Sequence, residues 1–206
     1  MFSKLQYISQ GTTAAAQLKN INEALDAGCE WIQLRFKNAD EQEIKMLGQE
    51  VKKICSSYKA TFIINDHPHI EKEIEADGVH LGLQDMPVTD ARKIVGDKII
   101  GGTANTLEDV LKRVDEGCNY IGLGPFCFTT TKNKLSPILG LEGYRKIMNE
   151  LKQQQIEIPV YAIGGIVLED MEAIMQTGVY GVAVSGIITH HPNKKELVKE
   201  INMFLS

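Results

Sequence analysis

The sequence has 206 residues, and its 22 Lys and Arg against 27 Asp and Glu give a formal net charge of −5 at pH 7. A hydrophobic fraction of 43% and a charged fraction of 24% are typical of a soluble globular protein and exclude a disordered or low-complexity chain. Nucleic-acid-binding proteins usually carry a basic excess, so this balance argues against a nucleic-acid partner. Apolar runs are shorter than the roughly 18 residues of a membrane helix, and residues 1–10 lack a signal-peptide pattern. A cytoplasmic protein with no membrane partner is therefore predicted.

Short apolar or β-branched runs alternate with stretches of helical period along the whole chain. Eight such runs predict strands: Leu5–Ser9, Trp31–Arg35, Thr61–Asn65, Gly78–Leu81, Ile99–Gly102, Tyr120–Leu123, Val160–Ile163 and Gly181–Val184. This alternation predicts a parallel sheet with helices outside it. The length fits a single domain over residues 1–206.

Helices are indicated between the strands by the spacing of apolar residues. The pattern is clear at Ile44, Leu47, Val51 and Ile54, at Leu107, Val110, Leu111 and Val114, and at Leu197, Ile201 and Phe204. Helix C-termini are predicted by glycines a few residues before a strand, at Gly28, Gly117 and Gly178.

Internal sequence similarity between two segments, called the sequence echo below, favours a closed barrel over an open sheet. Residues 26–34 and 115–123 share Asp, Gly, Cys, Ile and Leu in register, and they lead into the second and sixth strands. An offset of four strand–helix units is half of an eight-unit ring, as expected for a (β/α)8 TIM barrel, although convergence of two similar junctions would explain the echo equally well. An open dinucleotide-binding sheet would place G-x-G-x-x-G after the first strand, where only Gly11 occurs. In a barrel, the active site is expected at the carboxyl ends of the strands.

Polar residues follow the second, third and fourth predicted strands. Gln33, Arg35 and Lys37 alternate, so their side chains should share one face, the barrel interior, where two cations favour a phosphate or diphosphate ligand. A salt bridge to a barrel carboxylate is the structural alternative. Asp66 and Asp85 lie on adjacent strand–helix loops, and two such carboxylates can share one Mg²⁺. Taken alone, Asp66 would more simply cap the next helix.

The later strand ends carry further groups suited to anions. The loop after the sixth strand is unusually long and contains Thr129, Thr131 and Lys132, which can contact phosphate oxygens or a leaving diphosphate. Gly165 follows the seventh strand and Ser185 the eighth, the place where barrels bind phosphate through backbone N–H groups. A flexible polar loop and ordinary tight turns are the simpler explanations.

Cysteine and histidine give little functional signal. The four cysteines, Cys29, Cys55, Cys118 and Cys127, form no C-x-x-C pair and are expected to be buried free thiols. His80 lies within the fourth strand and is expected to line the barrel rather than to act in catalysis. His67 and His69 have no third ligand at zinc spacing, which argues against a zinc site.

Together, the strand-end motifs resemble those of the thiamine-phosphate synthase family. The resemblance covers residues 5 to 188 and rests on Gln33-x-Arg35-x-Lys37, Asn65-Asp66, Gly78-Val-His-Leu-Gly82 with Gln84-Asp85, Gly124-Pro125 with Thr129-x-Thr131-Lys132, Ile163-Gly-Gly-Ile166 and Val184-Ser185. It implies a (β/α)8 barrel that couples 4-amino-2-methyl-5-hydroxymethylpyrimidine diphosphate to a thiazole phosphate, with release of diphosphate in a Mg²⁺-dependent step. The implied chemistry is dissociative: diphosphate departs, and the thiazole nitrogen captures the resulting pyrimidine-methyl cation.

The resemblance also implies a role for each matching residue. Asp66 and Asp85 would hold Mg²⁺. The pyrimidine diphosphate would contact Gln33, Arg35, Lys37 and Asn65, and the thiazole phosphate would contact Thr129, Thr131, Gly165, Val184 and Ser185. The catalytic charges, which stabilise the departing diphosphate, would be those of Lys132, Arg35 and Lys37.

Three departures from the family pattern stand out. Thr103 occupies a position where the family usually has Ser; because it keeps the hydroxyl, the resemblance still implies that it contacts substrate. Leu83 replaces a usual Gln. Near the start, the pair Gln6-Tyr7 does not match the usual position of an aromatic residue.

Other functions remain open at the sequence level. A paralogous thiazole tautomerase would have a histidine where this chain has Pro125, and proline cannot transfer a proton. A catalytically silent barrel that binds phosphate ligands, a sugar-phosphate isomerase and a homo-oligomeric assembly are also compatible with the sequence.

Overall fold

The computed structural model describes residues 2–37, 39–128 and 137–206. Its strands form one closed parallel barrel, because each strand pairs with the next and the first also pairs with the last. The strands are β1 (Leu5–Ile8), β2 (Trp31–Leu34), β3 (Thr61–Asn65), β4 (Gly78–Leu81), β5 (Ile99–Ala104), β6 (Tyr120–Leu123), β7 (Val160–Ile163) and β8 (Gly181–Val184). The predicted single-domain (β/α)8 barrel is confirmed.

Helices follow the strands and pack around the outside of the barrel. They are α1 (Ala14–Asp26), α2 (Glu41–Tyr58), α3 (Pro68–Ile74), α4 (Val88–Val95), α5 (Leu107–Asp115), α6 (Gly140–Gln153), α7 (Met171–Met175), α8 (Gly186–Thr189) and α9 (Lys194–Leu205). One turn of 3-10 helix, Leu168–Asp170, precedes α7. None of the helices in the described ranges is long and apolar enough to cross a membrane.

Three strand ends differ from the sequence prediction. Ser9 and Arg35 lie just beyond β1 and β2, and the Ser9 hydroxyl rather than a strand carbonyl accepts the Arg35 backbone N–H at 2.9 Å. β5 runs two residues further than predicted, because Thr103 and Ala104 continue the pairing with β6. Thr103 is therefore held in a strand rather than in a loop.

Helix ends follow the local chemistry of the sequence. Asp40 begins α2 with a capping box, in which its side chain accepts a bond from Glu43 N while the Glu43 carboxylate accepts one from Asp40 N. The three glycines predicted to end helices adopt left-handed backbones, with φ of 101°, 81° and 91° at Gly28, Gly117 and Gly178.

The core has two layers. The larger layer lies between the strands and the helices and includes Ile44, Val51, Leu197 and Ile201. Phe204, which the helical spacing placed in the core, is 37% exposed; Leu205 is buried instead. The prediction for Phe204 was wrong, because the next position of α9 faces the barrel.

A smaller layer fills the barrel interior with Ile8, Trp31, Ile63, Tyr120, Tyr161 and Ala183. Trp31 and Tyr120, which are equivalent residues of the sequence echo, meet edge to face at a centroid distance of 5.0 Å. These side chains close the barrel below the carboxyl ends of the strands.

Cysteine burial matches the prediction at three of four positions. Cys29, Cys55 and Cys118 are buried free thiols, whereas Cys127 is exposed. The prediction was wrong for Cys127 because this residue lies in the loop beyond β6 rather than in a helix or strand.

Candidate active site

A pocket of about 490 Å³ opens at the carboxyl ends of the strands, above the aromatic layer. Part of its wall is apolar and comes from Ile8, Ile163, Ile166 and the 62% exposed Phe128. These apolar residues were not among the sequence-predicted site residues, since an isoleucine near a strand end does not differ in sequence from a core isoleucine. Apolar walls with a few polar groups are typical of small-molecule sites.

One polar wall of the pocket comes from Gln33, Arg35, Asn65 and Thr103, which were all predicted site residues. Gln33 is 2% exposed and donates from Nε2 to Asn65 Oδ1 at 2.7 Å. Its other amide atom, Oε1, is buried and accepts no hydrogen bond from the described residues. An unused acceptor in a pocket wall is suited to an N–H donor of a ligand, because leaving it unpaired costs about 1–3 kcal/mol.

Arg35 supplies the positive charge of this wall. Burial lowers the pKa of its guanidinium, and the nearby Asp66 carboxylate partly offsets that effect. Arginine remains charged in proteins even so, and its planar group matches two oxygens of a phosphate.

Lys37 is placed differently from the prediction. β2 ends at Leu34, and Lys37 lies in an exposed turn and does not line the pocket. The prediction that its side chain points into the barrel interior was wrong, because the strand alternation stops before it. Its positive charge nevertheless interacts with the site electrostatically and lowers the pKa of Asp66.

The two predicted metal ligands lie together beside this wall. Asp66 and Asp85 are in hydrogen-bonding contact, and burial followed by the Asp85 carboxyl raises the pKa of Asp66 against the opposing effect of Lys37 and Arg35. Asp85 Oδ2 also accepts the Gly82 backbone N–H at 2.6 Å. A Cβ atom on Gly82 would lie 2.7 Å from that oxygen, so a larger residue at this position would displace the Asp85 carboxyl.

Asp66 is not a helix cap, which was its alternative role. Its backbone has a left-handed φ of 67°, and His67 is the cap residue of α3, without any side-chain capping bond. A non-glycine residue in this conformation costs about 1 kcal/mol or more, and such residues are concentrated at functional sites. The geometry therefore supports a binding role for the Asp66 carboxyl.

Arg113 of α5 supports this region from behind the sheet, and sequence analysis missed it. Its guanidinium donates from Nε to Thr103 O at 3.1 Å and from Nη2 to Gly82 O at 2.8 Å. Nη1 pairs with Glu116 at 2.9 Å, and the Arg113 side chain is 5% exposed. One side chain thus ties the end of β5 to the loop that carries Asp85. A charged residue beside Val110 and Val114 was the only signal in the sequence.

A second wall comes from the ends of β7 and β8, where Gly165, Val184 and Ser185 line the pocket as predicted. Gly165 has a φ of 69°, and a Cβ atom there would lie 2.5 Å from the Phe128 carbonyl oxygen. The Ser185 hydroxyl donates to Ile8 O at 2.6 Å, so its oxygen lone pairs remain for other partners.

Three predicted residues, Thr129, Thr131 and Lys132, lie outside the described residues. The chain on either side of them is fixed, because Leu139 N donates to Pro125 O at 3.0 Å and Gly140 N donates to Phe126 O at 3.1 Å. Pro125 and Phe128 line the pocket, so the described chain that precedes this segment lies beside it.

Two further expectations concern His80 and Tyr7. His80 lines the pocket and is 6% exposed, in agreement with the prediction of a barrel-lining residue. Tyr7 points away from the pocket into the outer core, where its hydroxyl pairs with Thr189 Oγ1 at 2.7 Å. The Gln6-Tyr7 pair therefore places no aromatic ring in the pocket.

Comparison with known proteins agrees with this geometry. A family model described as thiamine monophosphate synthase matches residues 5–188. The chain belongs to this family. It is 58% identical over 203 residues to the thiamine-phosphate synthase of Flavobacterium johnsoniae, covering 98% of this chain and 96% of the relative. It is 48% identical over 198 residues to the Bacteroides fragilis protein of the same name, covering 96% of this chain and 97% of the relative.

A solved structure supports the same assignment. Thiamine phosphate pyrophosphorylase from Pyrococcus furiosus superposes with a TM-score of 0.85 at 32% identity, covering 98% of this chain and 97% of that one. The sequence-based prediction of a transferase of this family is confirmed. The role of each individual residue remains a prediction.

Proposed function

We propose that this protein couples 4-amino-2-methyl-5-(diphosphomethyl)pyrimidine to 4-methyl-5-(2-phosphoethyl)thiazole or its 2-carboxy form, giving thiamine phosphate and diphosphate. One observation carries the proposal: the polar wall that contains Arg35 and the wall formed by Gly165, Val184 and Ser185 line one and the same cavity of about 490 Å³. Two anionic ligands bound to these walls would meet in the same cavity, as a coupling reaction requires. The names of the relatives support the same activity.

The proposed reaction needs positioned charge more than proton transfer. As the C–O bond to diphosphate breaks, negative charge accumulates on the leaving oxygens, and positive groups near them lower the barrier. Arg35 and Lys37 supply two such groups, and Lys132 is proposed as a third. The thiazole nitrogen then forms the new C–N bond with the pyrimidine-methyl carbon, so no covalent enzyme intermediate is involved.

The same residues would orient the pyrimidine. The unused acceptor Gln33 Oε1 fits the 4-amino group, which is a hydrogen-bond donor. The apolar walls at Ile8 and Ile163 would contact the ring faces and exclude water from the reactive cation.

The residues present fit a magnesium ion. Two carboxyls in contact, with the pKa of one raised by burial and by the other, form an arrangement that a divalent cation stabilises. The described residues contain no group of three or more His, Cys, Asp or Glu suited to a metal. Mg²⁺ commonly takes only one or two carboxylates and completes its shell with water and phosphate oxygens. We propose that Asp66 and Asp85 hold it, and that when bound it neutralises charge on the diphosphate.

Incubation of the purified protein with both substrates and Mg²⁺ tests the function, with thiamine phosphate and diphosphate measured as products. We expect both in equal amounts, with activity lost on chelation and in Asp66→Asn. Asp90→Asn, in the exposed part of α4, is the matched control and should keep full activity.

Binding of the substrates without turnover would refute the proposal and favour a silent ligand-binding barrel. Isomerisation of the thiazole carboxylate phosphate alone would indicate a tautomerase instead. Against that outcome, Pro125 lines the pocket where the tautomerase would have its histidine.

A further inference from the structure

A chain of hydrogen bonds runs through the barrel interior and ends at the pocket. Gln6 Nε2 donates to the Tyr120 hydroxyl at 3.1 Å, and that hydroxyl lies 3.0 Å from His80 Nδ1. The other ring nitrogen, His80 Nε2, lies 3.0 Å from Thr103 Oγ1. Tyr120 is fully buried, whereas His80 and Thr103 line the pocket. The chain therefore links a buried amide to a group that a ligand can contact.

The barrel is built to allow this link. His80, Gly101 and Tyr120 are successive neighbours across β4, β5 and β6. A Cβ atom on Gly101 would lie 2.1 Å from Tyr120 Cζ, so only glycine lets the tyrosine ring cross β5 and reach the histidine. The contact between Tyr120 and His80 is thus fixed by packing.

The Gln6 amide has a fixed donor direction, and it is compatible with the following order of donors and acceptors along the chain. An amide nitrogen only donates, so the Tyr120 oxygen accepts from Gln6 and its own hydrogen is free to point to His80 Nδ1. A neutral imidazole that accepts at Nδ1 carries its hydrogen on Nε2. In this tautomer the Nε2–H donates to Thr103 Oγ1, and the hydroxyl hydrogen of Thr103 is then left for a further acceptor.

We propose that Gln6 and Tyr120 fix His80 as its Nε2–H tautomer, so that Thr103 presents a hydrogen-bond donor to the ligand in the pocket. Gln6 and Tyr120 are then positioning residues that do not touch the ligand. This deepens the proposed function and rests on it for the ligand, where a pyrimidine ring nitrogen would be the acceptor. It also explains how Thr can stand in for Ser at position 103, since only the hydroxyl is used.

The tautomer can be measured without any substrate. In protein labelled with ¹⁵N-histidine, two-bond ¹⁵N–¹H spectra at about pH 8 distinguish which ring nitrogen carries the hydrogen. His80→Gln identifies the His80 signals among the five histidines. We expect a protonated Nε2 and an unprotonated Nδ1. An Nδ1–H tautomer or a doubly protonated ring in the unsubstituted protein overturns the proposal, and this measurement needs no variant to fold other than the one used for assignment.

The contribution of Tyr120 is tested by Tyr120→Phe, which removes only the hydroxyl. We expect the His80 signals to shift toward a mixture of tautomers. The matched control is Tyr161→Phe, because Tyr161 packs 5.6 Å from Tyr120 in the same layer but donates to Ser3 O. This control should leave the His80 signals unchanged. Unchanged signals in Tyr120→Phe would also overturn the proposal.

Kinetics test the consequence for the ligand. Thr103→Val should lower kcat/KM for the pyrimidine diphosphate by about tenfold, and Thr103→Ser should restore it to within about threefold. Tyr120→Phe should lower kcat/KM by about threefold to tenfold, and Tyr161→Phe should not. If Tyr120→Phe changes the tautomer but not kcat/KM, the link to the ligand is refuted. If the unsubstituted protein forms no product while its His80 is the Nε2–H tautomer, the proposed function fails and the tautomer assignment stands.

Discussion

A buried carboxyl on α3 allows a test of the electrostatics of this fold. Glu71 is 1% exposed, and neither of its carboxylate oxygens has a hydrogen-bond partner among the described residues. Burial raises its pKa from 4.5 to about 7, although Lys98, Lys52 and Lys72 oppose this and Asp77 adds to it. We predict that Glu71→Gln, which removes the charge and keeps the shape, stabilises the protein at alkaline pH.

The sign and size of the effect follow from proton linkage. Below about pH 4.5 the carboxyl is protonated in both states, so it contributes no pH dependence. Between that pH and about 7 the folded state binds more protons than the unfolded state, so stability falls as the pH rises, and above about 7 the loss is complete. The difference between the two pKa values corresponds to about 3 kcal/mol, and entry of water on ionisation reduces this to about 2–3 kcal/mol.

Urea denaturation followed by circular dichroism at several pH values measures the effect. We expect the free energies of unfolding of Glu71→Gln and the unsubstituted protein to differ by less than about 1 kcal/mol at about pH 5, and the variant to be more stable by about 2–3 kcal/mol at about pH 8. Glu75→Gln, an exposed position one turn later in the chain, is the control and should show no such difference. A constant difference between Glu71→Gln and the unsubstituted protein from about pH 5 to 8 would refute the reasoning.

Three further predictions concern the site. Asp85→Asn should have the melting temperature of the unsubstituted protein, but its kcat should be about a hundredfold lower. In calorimetry with diphosphate present, the variant should show no heat of Mg²⁺ binding, and unchanged Mg²⁺ binding would contradict the proposed ligand role. Arg113→Met should lower the free energy of unfolding, measured by urea denaturation, by about 3 kcal/mol, because two backbone carbonyls and the Glu116 carboxylate lose a buried hydrogen-bond donor. A loss of less than about 1 kcal/mol would contradict this prediction. Gly165→Ala should raise KM for the thiazole phosphate at least about tenfold. Gly178→Ala is also at positive φ, but an added Cβ there would meet only Met148 Cβ, at 4.0 Å, so this variant should only lower stability by about 1 kcal/mol. Equal KM values for the two alanine variants would refute the steric argument.

Both the strengths and the errors of sequence-based prediction have physical causes in this barrel. All eight strands were located, because buried parallel strands are short apolar runs bounded by turn residues. The ends of β1, β2 and β5 were misplaced by one or two residues, since pairing there depends on the neighbouring strand and on the Ser9 side chain. Lys37 was assigned to the interior by extending an alternation that applies only as far as Leu34.

The sequence by itself determined the barrel, the family and the set of polar strand-end residues, because periodicity and motif order are local properties of the chain. Only the tertiary structure decided which groups meet: the contact between Asp66 and Asp85, the support from Arg113, and the chain from Gln6 to Thr103. These contacts join residues far apart in sequence. Their side chains come within contact distance only when the strands pair side by side and the sheet closes into a barrel. Burial is likewise a property of the folded chain, so the raised pKa of Glu71 could not be predicted from the residues around it.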